Sequence, residues 1–96
     1  MPDRKKIEER ILKIVSEQYS YSFGRDSGAA EITINTDIRK DLEFDSIMLV
    51  ILQIEIEDAF CIRFNPIEED LNNVFTTIRA ISSYVYSIMR NEYEQE

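Results

Sequence analysis

The chain has no histidine, one cysteine, two glycines, two prolines and no long apolar run. Without histidine, the commonest side-chain general base at neutral pH and the commonest metal ligand are both missing, so histidine-based triads are excluded. A lone Cys61, set between Phe60 and Ile62, can close no internal disulfide; it reads as a small space-filling hydrophobe in a reducing compartment. The longest unbroken apolar run is Ile47 to Leu52, far short of the ~20 residues that a membrane-spanning helix needs. The opening MPDRKKIEERILKIV alternates charge with apolar residues and has no apolar core of an export signal. A cytoplasmic protein that does not enter a membrane is the expectation.

What is present is an ordinary globular mixture, 44% hydrophobic and 31% charged over 96 residues, which fits one small domain over 1–96. The net charge of −8 is unevenly placed. Residues 1–40 sum to +1, residues 41–70 to −8 and residues 71–96 to −1. Such an acidic middle repels nucleic acid and suits docking on basic patches of partner proteins. A solvated surface that aids solubility is the plainer account of the same charge.

Ile7, Ile11, Ile14, Val15 and Gln18/Tyr19 keep helical spacing, predicting a first helix over 3–19. From 20 to 45 the periodicity lapses and both glycines occur, which predicts a long first loop. Inside it Ile32 and Ile34 alternate with polar residues as in a short extended piece, while Ile38 and Leu42, one helical turn apart, pin the loop to the core. A second helix is expected over Ser46–Phe60, capped by Asp45 or Ser46. A short capped helix should follow from Asn65-Pro66 through Glu68, Glu69 and Asp70, ending near Asn72. Thr76 is placed to cap a last helix with Ile78, Ile81, Val85 and Ile88 on one face, and the tail 91–96 should fray. Three longer helices and one short third helix make the fold class all-α, a four-helix bundle.

The second helix is the informative one. At 100° per residue, Leu49, Leu52, Ile56 and Phe60 share a stripe that stays uncharged, with Met48 and Ala59 at its edge; that is the core face. Opposite them Ile47, Val50, Ile51 and Ile54 form a second apolar stripe running into Glu57 and Asp58, with Glu55 alongside. Either the helix is sandwiched and both stripes are core, or the second is exposed for docking.

The run Asp41-Leu42-Glu43-Phe44-Asp45-Ser46-Ile47 closely resembles the D-L-G-x-D-S-L signature of the acyl and peptidyl carrier protein family. The order of elements, with Phe60 near the end of the second helix and Phe75-Thr76-Thr77 opening the last, extends the resemblance over nearly the whole chain. It implies an acyl-carrier-like bundle without catalytic residues of its own. It also implies phosphopantetheine carried covalently on Ser46, transferred from coenzyme A by a phosphopantetheinyl transferase. Asp45 would belong to the surface that the transferase reads. Glu43 stands where the family usually has glycine and Ile47 where it usually has leucine; the first change implies an altered turn before the serine.

The resulting expectation is a monomeric carrier holding acyl thioesters for fatty acid, polyketide or related lipid synthesis. It would meet acyl-loading and acyl-processing enzymes through Asp45, Ile47, Val50, Ile51, Ile54, Glu55, Glu57 and Asp58. An aminoacyl or peptidyl carrier of a non-ribosomal pathway, resembled by Ile47-Met48-Leu49, stays open, as does an unmodified helical interaction module. No segment has the carboxylate spacing of a calcium loop, so no metal is expected.

Overall fold

The computed structural model describes residues 3–23, 32–64 and 71–94. Its elements are α1 (Arg4–Phe23), α2 (Ser46–Phe60), the single-turn α3 (Leu71–Val74) and α4 (Ile78–Glu94). All regular structure among the described residues is helical, apart from one isolated antiparallel bridge between Asp37 and Thr77. α1 packs against both α2 and α4, and α3 against α4.

Each long helix turns one apolar stripe inward. Ile7, Ile11 and Val15 of α1, Leu52 and Ile56 of α2, and Ile78, Ile81 and Val85 of α4 are buried in one cluster. Burying each such side chain contributes ~1.5–3 kcal/mol, enough to fix which face of every helix looks inward. Ser82 is also fully buried and donates its hydroxyl to the Ile78 carbonyl at 2.8 Å, so its polar group stays satisfied one turn back. Beneath α4, Phe64 meets Phe75 edge-on and stacks on Tyr84, both at 5.5 Å between ring centroids. This tethers the segment after α2 to the last helix.

Several boundaries differ from the sequence expectation. α1 continues through residues 20–23, which were expected to open the loop. Between Pro2 and Gly24 the chain contains neither glycine nor proline, so nothing forces the helix to stop at Tyr19. Ile32 and Ile34 belong to no strand; both are partly buried against the core. A turn follows, in which the Thr36 N–H donates to the Thr33 carbonyl at 3.1 Å. Ile38 and Leu42 do pin the loop, both fully buried or nearly so. The last helix is capped by Thr77 and not by Thr76, since the Ala80 N–H donates to Thr77 Oγ1 at 3.1 Å. α4 also runs on through residues 91–94, where fraying was expected. The expected helix start over Asn65–Asp70 and the 24–31 part of the first loop lie outside the described residues, while Leu71–Val74 is helical past the expected end at Asn72.

Cys61 is not a core hydrophobe. It is exposed and sits just past α2 in the left-handed conformation, φ 54 and ψ 45, where the Ile62 N–H reaches back to the Glu57 carbonyl at 3.1 Å. This six-to-one bond is a Schellman-type helix stop, and the position is set by backbone geometry instead of side-chain packing.

Candidate functional site

Asp41, Leu42, Phe44 and Asp45 of the run 41–46 each have an identifiable structural job. Asp37 and Asp41 lock a single turn reciprocally. Asp37 Oδ1 accepts from the N–H groups of Arg39 and Lys40, each at 2.9 Å, and Asp41 Oδ2 accepts from the Asp37 N–H at 2.9 Å. Leu42 and Phe44 are both buried, and the Phe44 N–H returns to the Ile38 carbonyl at 3.0 Å. Between them Glu43 is exposed with φ 58, in the left-handed region.

That angle corrects the expectation of an altered turn. Glu43 takes the backbone conformation that a glycine takes freely, so the turn is kept and the glutamate bears the strain. Glu43→Gly should therefore raise stability by roughly 0.5–1 kcal/mol, the relief of a strained residue less the extra freedom of glycine in the unfolded chain. Urea denaturation of the two chains checks this; a loss of stability in the glycine variant contradicts the strain reading.

The turn delivers the chain to the start of α2. Asp45 is extended, at φ −86 and ψ −178, and its Oδ1 accepts from the Met48 N–H at 2.9 Å. Asp45 is thus the N-cap, and Ser46, of which either role was open, is the first helical residue, exposed and free of the capping duty. An oxygen substituent on Ser46 lies where the first N–H groups of the helix and its dipole favour an anion. A phosphate ester there has solvent access and a favourable field, so the residues present fit such a group. Asp45→Ala should cost about 1 kcal/mol through the lost cap, and Asp45→Asn much less, because asparagine caps as well. Thermal melts of both variants check this, and equal losses would mean that the charge and not the cap matters.

Along α2 the two stripes separate as the charge pattern implies. Leu52 and Ile56 are fully buried, and Met48, Leu49 and Phe60 pack partly against the core. Ile47, Val50, Ile51 and Ile54 are 70%, 54%, 44% and 53% exposed, so the sandwiched alternative fails. Glu55 and Asp58 are exposed beside them. Glu57 is not part of this open rim: it is half-buried, and its Oε2 accepts from the Phe64 N–H at 2.9 Å. Its carboxylate closes the segment after α2, a use that spacing alone does not reveal.

Sequence reasoning assigns Gln18 no role beyond its place on the α1 stripe. It is 7% exposed, and its Nε2 donates to the Met48 carbonyl at 2.8 Å, tying α1 to the first turn of α2. The signal was a polar side chain at a core-periodic position.

Among the described residues no three His, Cys, Asp or Glu side chains gather to hold a metal, and no helix is long and apolar enough to cross a membrane. The arrangement is that of a helical protein presenting a serine at a loop–helix junction, ahead of an apolar, acid-flanked helix. Residues 9–85 match the protein family described as "Phosphopantetheine attachment site". The chain belongs to that family, whose domains carry a covalently attached phosphopantetheine and work with partner enzymes and a phosphopantetheinyl transferase. No curated protein is similar enough to count as a match.

Proposed function

We propose that Ser46 is the attachment point and that the chain is one acyl-carrier domain with the four-helix architecture of its family. It takes acyl groups through fatty acid, polyketide or related lipid synthesis and is a substrate of other enzymes without catalysing a reaction itself. The observation that carries the reading is the exposed first-turn position of Ser46, relieved of capping by Asp45. In the modification the serine hydroxyl oxygen forms a new P–O bond to the phosphopantetheinyl phosphorus of coenzyme A. The adenosine 3′,5′-bisphosphate half leaves, and the hydroxyl proton is released. When bound, the arm supplies a terminal thiol on which an acyl group is held as a thioester.

The exposed stripe Ile47, Val50, Ile51 and Ile54, with Asp45, Glu55 and Asp58 as acids near it, is the docking face. Apolar burial supplies affinity there, and charge supplies steering and register toward basic partners. Partners must exchange, so a small interface suits it better than a large permanent one. Choice among acyl cargoes, and between acyl and aminoacyl loading, belongs to those partners. Cell fractionation tests the cytoplasmic reading.

The test is intact-mass spectrometry after incubation with coenzyme A, Mg²⁺ and a broad-specificity phosphopantetheinyl transferase. A gain of one phosphopantetheinyl group supports the proposal, and no gain with any transferase sinks it. Loading the product with acyl donors in one arm and adenylated amino acids in another separates the two cargo classes.

A further inference from the structure

α1 and α2 leave a groove of about 480 Å³ between them, open along one side. Its apolar wall is Ile14 of α1 with Ile51 and Ala59 of α2, and Glu17 and Glu55 contribute a carboxylate from each helix. Gln18 also lines it. This side chain is more than nine-tenths buried, and its Oε1 has no hydrogen-bond partner among the described residues. A buried acceptor left unpaired is costly. The Nε2 of the same amide is committed to the Met48 carbonyl, so Gln18 ties the two walls of the groove together.

The charged groups of the groove are therefore two carboxylates over aliphatic walls. The complementary group has a long apolar stem and a head made of N–H donors with positive charge. Arginine has that form, since its methylenes pack on aliphatic surface while the planar guanidinium offers five donors and no acceptor. The Tyr21 ring at the same groove, 93% exposed, offers a face on which a guanidinium can stack. Lys13 approaches Glu17 only at 4.0 Å, with both side chains largely in water, and such a pair yields easily to a better one.

We infer that the α1–α2 groove is a socket for an arginine side chain of a docking partner protein. The inference rests on the partner-docking reading of α2 and deepens it, because Ile51 belongs both to the exposed stripe and to the groove wall. A partner lying across the stripe thus reaches the socket without a gap. The protein's own cargo is a poorer occupant. Glu55 follows Ser46 by nine residues, which at ~100° per residue sets the groove about half a revolution around α2 from the attachment point.

The test is amide-resolved NMR of the ¹⁵N-labelled full chain, titrated with acetyl-Leu-Arg-Leu-amide and, separately, with its citrulline and lysine counterparts. Citrulline keeps the shape of arginine and lacks its charge. The arginine peptide should shift the Gln18 side-chain amide and the backbone amides of Ile14, Ile51 and Ala59. Affinity should fall roughly tenfold with citrulline, and by several-fold with lysine. Glu17→Gln and Glu55→Gln, both at exposed positions, should each weaken the arginine peptide about fivefold or more without changing the melting temperature.

Equal binding of arginine and citrulline peptides overturns the assignment, as does a lysine peptide that binds as tightly. No shift at saturating peptide also overturns it. Shifts confined to Ile47, Val50 and Ile54 remove the socket and leave the docking face standing. A dimer in sedimentation that the arginine peptide dissociates would put a second copy in place of the partner. Failure of the mass gain described above, with the socket intact, removes instead the Ser46 reading.

Discussion

Ser46→Ala should leave the chain at its unmodified mass under conditions that convert the native sequence, and every thioester-dependent activity should disappear with it. On the proposed reading the ester needs a hydroxyl that a transferase can approach, and Ser46 offers one at the head of α2. The same replacement should leave stability within ~0.5 kcal/mol, as surface substitutions away from special features do. That second half of the result carries the discrimination. If Ser46 were the helix cap of an unmodified interaction module, its removal would cost about 1 kcal/mol; here Asp45 holds the Met48 N–H at 2.9 Å, and the cap survives. Intact mass and a thermal melt on one preparation therefore decide the matter. A mass gain that persists in the alanine variant places the arm on another hydroxyl.

Leu52→Ala should remove about 2–5 kcal/mol of stability, whereas Ile51→Ala, its immediate neighbour, should remove less than about 1 kcal/mol. Leu52 is fully buried in the common cluster; Ile51 is 44% exposed. Losing Leu52 deletes apolar contacts on all sides and leaves a cavity that surrounding side chains refill only in part. For a small domain, whose whole stability is some 5–15 kcal/mol, that is a large share of the total. Urea midpoints measured on the two variants give the comparison directly. Near-equal losses would mean that the second stripe of α2 is packed, and the docking face would go with it. Ile51→Ala should instead weaken partner binding, so the two neighbours separate folding from recognition.

The parts of this fold that were legible in the sequence are those that depend on period and charge. Ile7, Ile11 and Val15, or Ile78, Ile81 and Val85, recur at helical spacing, and burial follows from that spacing. The two stripes of α2 could be told apart because one stays uncharged to the helix end and the other runs into acids. Ser46 stands out as the candidate because the run 41–47 and the order of the helices point to the same residue. Features that depend on a single backbone angle or one long-range bond were not. Nothing in the letter at position 43 reveals φ 58, and a glutamate there argues against it. The end of α1, the choice of Thr77 over Thr76 and the half-burial of Glu57 each turn on a contact of one or a few residues. Cys61 is a related case: its small, apolar character suggests packing, but the residue is exposed and its left-handed backbone ends a helix.

The exposure of Cys61 has a practical consequence. It is the only sulfhydryl encoded in the sequence, and it stands at the opposite end of α2 from Ser46, roughly 22 Å away along a helix that rises 1.5 Å per residue. A fluorophore coupled there gives a fixed origin from which excursions of the tethered cofactor can be gauged by energy transfer. Exchanging the residue for glycine, which its left-handed backbone already favours, yields a chain with no thiol of its own. In that background a colorimetric titration of free sulfhydryls counts attached arms one for one, and acylation reads out as their disappearance.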